Sequence, residues 1–235
     1  IFFPKLYFLR LSRKFLKIKN FSINKIIQSI QSTESEDYCF IKKNQNVDET
    51  IFKASLSLRN NGLVIIENAF SNNEVDELRK IVDNYIPELK RRESSNYENY
   101  NNKLVPLIYD KFLLSPIITE TIERSINLNK NNDEFVRVRE NSRVIWFNAT
   151  KKNIENNWTS GWHIDFPTQF AVHVILEDTN INCTRMQAIP RTQDFFLLSG
   201  RHYNLDDFIK KNKLEDKVVN FCGKKGTLYI HSGNI

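Results

Sequence analysis

The sequence predicts an α+β fold in which N-terminal helices flank a jelly roll. Two observations lead there. Between residues 49 and 126, apolar residues recur at helical spacing around one short strand. After residue 133 the chain turns to short β-branched or aromatic runs separated by polar turns, which suits a sandwich or barrel. Composition allows it. In 235 residues, 40% are hydrophobic, with 17 Phe, 8 Tyr and 3 Trp, enough apolar material for one sizeable core.

The first stretch, residues 1–48, reads as an appendage: a basic aromatic helix candidate followed by polar segments at 31–38 and 42–50. The main domain is expected over 49–235. Residues 49–62 read as a helix stopped by Asn60, Asn61 and Gly62, which supply a left-handed exit. Residues 63–70 are rich in branched side chains and read as a strand. Ser71-Asn72-Asn73-Glu74 has the form of a capping box, in which serine and glutamate satisfy orphan amides at a helix start. Behind it Val75, Leu78, Ile81, Val82 and Tyr85 form one apolar face, and Pro87 marks the expected end. Residues 91–102 are polar and read as a loop, and 110–126 as a helical stretch broken at Pro116. Strands are expected within 134–141, 142–149, 170–178, 184–190, 218–221 and 226–233.

Charge and cysteine content narrow the function classes. The 34 basic and 28 acidic residues leave a net charge of +6, but they are interspersed. Short lysine pairs such as Lys151-Lys152 and Lys224-Lys225 read as solvated surface, so no nucleic-acid partner is expected. Cys39, Cys183 and Cys222 are scattered and odd in number, which argues against a disulfide framework and for a reducing, cytoplasmic setting. Lys5, Arg10, Arg13, Lys14 and Lys17 interrupt the aromatic N-terminus, so neither a bilayer span nor a cleaved signal is expected. Weak contact with a membrane surface through that basic segment is an alternative to packing on the domain. The absence of an initial Met and the abrupt end suggest a fragment. No Gly-X-Ser-X-Gly elbow, phosphate-cradling glycine loop or His-Glu-X-X-His helix is present.

The sharpest chemical feature is Trp162-His163-Ile164-Asp165-Phe166. On an extended strand, residues two apart project from one face with Cα atoms about 6–7 Å apart. His163 and Asp165 are thus placed to bind one cation while Trp162, Ile164 and Phe166 pack elsewhere. A neutral imidazole and a carboxylate, joined by a second histidine from another strand, form the facial triad that suits non-haem Fe(II). Taken alone, His-X-Asp reads equally as a histidine hydrogen-bonded to a nearby carboxylate.

Order along the chain adds to it. Residues 58–83, a helix end, glycine, short apolar strand and capped amphipathic helix, resemble the opening of phytanoyl-CoA dioxygenase family proteins. Residues 161–166 resemble that family's tryptophan-His-X-Asp segment, 171–195 its next hairpin, and 223–235 the late strand before its distal histidine. The resemblance covers roughly residues 55–235. It implies a double-stranded β-helix and an Fe(II)/2-oxoglutarate-dependent dioxygenase that hydroxylates a small organic substrate, releasing succinate and CO2. It also implies His163 and Asp165 as metal ligands and catalytic residues. The third ligand is expected just past Ile235, with the arginine that pairs with 2-oxoglutarate further on, so this piece by itself is expected to be inactive.

Other positions carry weaker implications. Asn148 resembles a co-substrate contact; the alternative is a turn residue. His173 lies where relatives place a polar residue near the keto acid; the alternative is a core histidine satisfied by a neighbour. His231 follows Gly226 too closely to match the family's ligand and is read as lining the cavity or on the outer face of its strand. Arg143 and Arg185 are carboxylate partners by charge alone. Gln193 stands where many relatives have histidine, which puts the local turn and substrate contacts in doubt. A jelly-roll binding or scaffold module that has lost the reaction is the alternative function.

Overall fold

The computed structural model describes residues 23–32, 40–85, 112–126, 162, 170–181, 186–193 and 205–233. Among them the chain is an α+β arrangement of two sheets and several helices. In order these are α1 (Ile23–Gln31), β1 (Phe40–Lys42), α2 (Val47–Asn61), β2 (Leu63–Glu67), α3 (Asn72–Tyr85) and α4 (Pro116–Ile126). The later elements are β3 (Phe170–Val174), β4 (Gln187–Ala188), α5 (Leu205–Lys211), a 3₁₀ turn (Glu215–Lys217), β5 (Val219–Asn220) and β6 (Leu228–Ser232).

The early elements form for local reasons. The Asn46 side chain accepts from the Glu49 amide at 3.2 Å and caps α2, whose first turn carries Asp48 and Glu49 against the helix dipole. Gly62 ends that helix at φ +71°, its amide donating to the Leu58 carbonyl. A Cβ there would also meet Gln193 Oε1 at 2.9 Å, so glycine answers both the backbone and the space. At α3 the expected capping box is present. The Ser71 amide and hydroxyl each donate to Glu74 Oε2 at 2.7 Å, and the Glu74 amide returns to Ser71 Oγ at 3.3 Å.

Pro116 differs from its expected role. It opens α4 instead of breaking a longer helix, because the first helical position has no partner for an amide and suits a fixed φ. Residues 112–115 form a separate turn, with the Ser115 amide on the Phe112 carbonyl.

The main sheet has strand order β1-β2-β6-β3 and is mixed: β1 runs parallel to β2, while β6 is antiparallel to both β2 and β3. Strand alternation gives it two faces. Val64, Ile66, Leu228 and Ile230 point to one side, where Ile51, Ala54 and Leu58 of α2, Val75 of α3, and Ile117 and Ile118 of α4 bury them. Leu63, Ile65 and Tyr229 point to the other, against Ala188 and Val219 of the small antiparallel β4-β5 sheet and Phe221 just after it. A third cluster joins Ile30 of α1 to Ile189, Phe208, Ile209 and Leu214. Two elements of the 1–48 stretch therefore pack onto the domain beyond it: β1 adds an edge strand to the main sheet, and α1 covers the end of the small one.

Candidate functional site

The face between the two sheets carries the site. By alternation His173 in β3 shares the side of Ala171, and His231 in β6 shares the side of Tyr229. The register places His231 opposite Ala171 and His173 opposite Tyr229, so the two histidines are diagonal neighbours on adjacent strands. Ala171, small and directly across from His231, leaves room for both rings. Their Nε2 atoms are 3.1 Å apart, and the ring planes are parallel within 4° at a centroid distance of 5.2 Å. Phe221 presses on both at steep angles, with centroids 5.8 Å from His173 and 5.6 Å from His231. It also stacks on Tyr229 at 4.6 Å, and the Tyr229 hydroxyl donates to the Cys222 carbonyl.

Hydrogen bonding sets the tautomers. His231 Nδ1 lies 3.0 Å from the Ser232 carbonyl oxygen, which can only accept, so Nδ1 carries the proton and Nε2 keeps its lone pair. The His173 Nε2–H then donates to His231 Nε2. Burial, and after it the adjacent His231, push the His173 imidazole down from 6.5 to about 3, which keeps it neutral at ordinary pH. Burial likewise raises the Tyr229 hydroxyl, which stays a donor.

The turn after β4 borders this face. The Arg191 amide donates to the Asn61 carbonyl at 2.7 Å and its Nε to Asn61 Oδ1 at 3.0 Å, which holds Arg191 at φ +67°. Gln193 Nε2 donates to the Asn60 carbonyl at 3.1 Å. Gln193 therefore clamps the turn onto the end of α2, a task that histidine at this position would meet less readily. Elsewhere a polar depression of about 480 Å³ opens beside the start of α3. Its lysines are engaged, Lys43 with the Ala69 carbonyl and Lys225 with Asp76, so it offers little to a ligand.

No protein-family model matches this chain, and no curated protein does either. The functional reading rests on its own residues.

Of the residues singled out from sequence, His173 sits at the centre of the site, and His231 joins it on the inner face. Trp162 packs against the cluster around Ile189, Phe208 and Leu214. His163, Asp165, Asn148, Arg143 and Arg185 lie outside the described residues. Among the described residues no group of three or more His, Cys, Asp or Glu could hold a metal ion. Alternation within 170–174 and 228–232 puts each histidine on the side opposite Val172 and Ile230, and that this side faces the second sheet is decided by tertiary packing. Their pairing depends on a register between segments 58 residues apart.

Proposed function

We propose that this chain carries an Fe(II)/2-oxoglutarate-dependent oxygenase domain of the phytanoyl-CoA dioxygenase type, built as a jelly roll. The observation that carries the reading is a histidine-bearing inner face between two sheets, entered shortly after the Trp162-His163-Ile164-Asp165-Phe166 segment. His163 and Asp165 would hold the iron, with a third histidine that the resemblance puts after Ile235. Iron and the keto acid, when bound, supply the oxidising power for hydroxylation of a small organic substrate, with succinate and CO2 as co-products. Asn148 and His173 would orient the keto acid, and a neutral His173 can do so without adding charge. Phe221 and Tyr229 keep water from that wall of the site. Among the described residues no helix is long and apolar enough to cross a membrane. A small-molecule substrate in the cytoplasm, without a nucleic-acid partner, belongs to the same reading.

One observation favours a second reading, a non-catalytic module of the same architecture. His173 and His231 satisfy each other, and Gln193 is committed to the end of α2. Succinate release from 2-oxoglutarate with added Fe(II), measured on the full-length protein and on His163→Ala, separates the two. Turnover in the wild type that falls to background in the variant supports the enzyme. Equal rates in both end that reading.

A further inference from the structure

We infer that Asn61-Gly62 is a deamidation site that Arg191 holds closed. It is the only Asn-Gly step in the chain. Asparagine is chemically labile, and a following glycine leaves the attacking nitrogen unshielded by a β-carbon. In the reaction the Gly62 nitrogen loses its proton to solvent base and bonds to Asn61 Cγ. The bond from Cγ to the side-chain nitrogen breaks, and that nitrogen leaves as ammonia, taking a proton from water. Water then opens the cyclic imide at either carbonyl, which gives aspartate or an isoaspartyl link.

In the folded chain each group that the reaction needs is engaged. Asn61 is only 3% exposed. The Gly62 amide donates to the Leu58 carbonyl at 2.9 Å, so its proton is held in the helix. Asn61 Nδ2 donates to Ser57 Oγ at 3.2 Å and Oδ1 accepts from Arg191 Nε at 3.0 Å, which fixes the side-chain amide from both ends. The Arg191 amide closes the ring of contacts on the Asn61 carbonyl at 2.7 Å. Leu58 and Ser57 belong to α2 itself, whereas Arg191 reaches in from 130 residues away. Fraying of the last turn of α2 therefore has to break the Arg191 bonds first. The product has a structural consequence. An isoaspartyl link adds a methylene to the main chain between α2 and β2. It displaces the Gly62 carbonyl, which accepts from the Ser232 amide at 2.8 Å and ties this joint to the end of β6 beside His231. None of this rests on the oxygenase reading.

The test is mass-spectrometric peptide mapping of the full chain held in mildly alkaline buffer, following conversion of amide to acid in the tryptic peptide 60–79. Fragment ions separate Asn61 from the other asparagines of that peptide. The folded wild type should convert at Asn61 at least about tenfold more slowly than the same chain in concentrated urea. Arg191→Ala, which loses a hydrogen bond from a charged donor, should convert about tenfold faster than the wild type. Ser71→Ala is the control. It loosens the start of α3 instead and should leave the Asn61 rate within about twofold. Equal acceleration in the two variants overturns the inference, because the route is then unfolding of the whole domain. An unchanged or slower rate in Arg191→Ala overturns it as well, and so does a folded wild type that converts as fast as the chain in urea. Circular dichroism checks that the variants fold. If Arg191→Ala does not, Arg191→Lys, which keeps the charge and loses the Nε donor, is read by the same criteria.

Discussion

Replacing Gly226 with alanine should strike the fold where the two histidine strands are joined. Gly226 sits at φ +85°, a conformation that a β-carbon disfavours by about 1–2 kcal/mol. A Cβ there would stand 2.3 Å from the Phe70 carbonyl oxygen and 3.3 Å from its carbon. That neighbour is backbone, so no rotamer change makes room. Relief requires moving a turn whose amide donates to the Ile175 carbonyl at 2.9 Å and whose carbonyl accepts from the Phe70 amide at 3.1 Å. Each of these bonds is worth about 1 kcal/mol net. Gly226→Ala should therefore cost about 3–4 kcal/mol, read as a lower urea midpoint with an unchanged slope. Gly223→Ala is the control. Its Cβ would meet only the Thr227 side chain, at 3.2 Å, and its φ lies outside the left-handed region, so the loss should stay within about 1 kcal/mol. Equal losses in the two variants, or a loss below about 1 kcal/mol at Gly226, would refute the close approach to Phe70.

Acid should weaken the metal-free protein through His173. Its imidazole titrates near 6.5 when unfolded and at about 3 when folded, so between those values the unfolded chain holds a proton that the folded chain lacks. Stability then falls as pH drops below about 6.5, by up to about 1.4 kcal/mol per unit, and His173→Phe should flatten that slope. A urea midpoint that does not move between pH 7 and 5 in the wild type contradicts a neutral buried ring. Ser71→Ala removes both hydroxyl bonds of the α3 capping box and should cost about 1 kcal/mol by the same unfolding assay. Arg191→Ala removes the guanidinium bonds to Asn61 Oδ1 and to the Ser29 hydroxyl and carbonyl, while the backbone bond to the Asn61 carbonyl remains. Amide hydrogen exchange in α1 should speed up in that variant more than in α2; unchanged protection of α1 would show that its apolar contacts alone hold it.

Sequence was most legible where structure is local. Gly62 as a helix stop and Ser71 with Glu74 as a helix start depend on residues within one turn, and each appears at its expected position. Pro116 was ambiguous because a proline that interrupts a pattern and one that opens a helix look alike until the preceding turn is seen. The three-residue strand β1 was invisible, since Phe40–Lys42 is a strand only through its parallel partner β2. Helix α5 is seven residues long, too short for periodicity to stand out, and it is held by the packing of Phe208 and Ile209 against Ile30 and Leu214.

By itself the sequence determined the α+β class and the capped helices around β2. These follow from interactions among residues a few positions apart. Only the tertiary structure decided that these two imidazoles meet, that Gln193 serves the end of α2, and that β1 and α1 join the packed body. Each depends on a register or contact between distant segments, and local propensity carries no record of which distant partner satisfies a strand edge, an amide or a ring nitrogen.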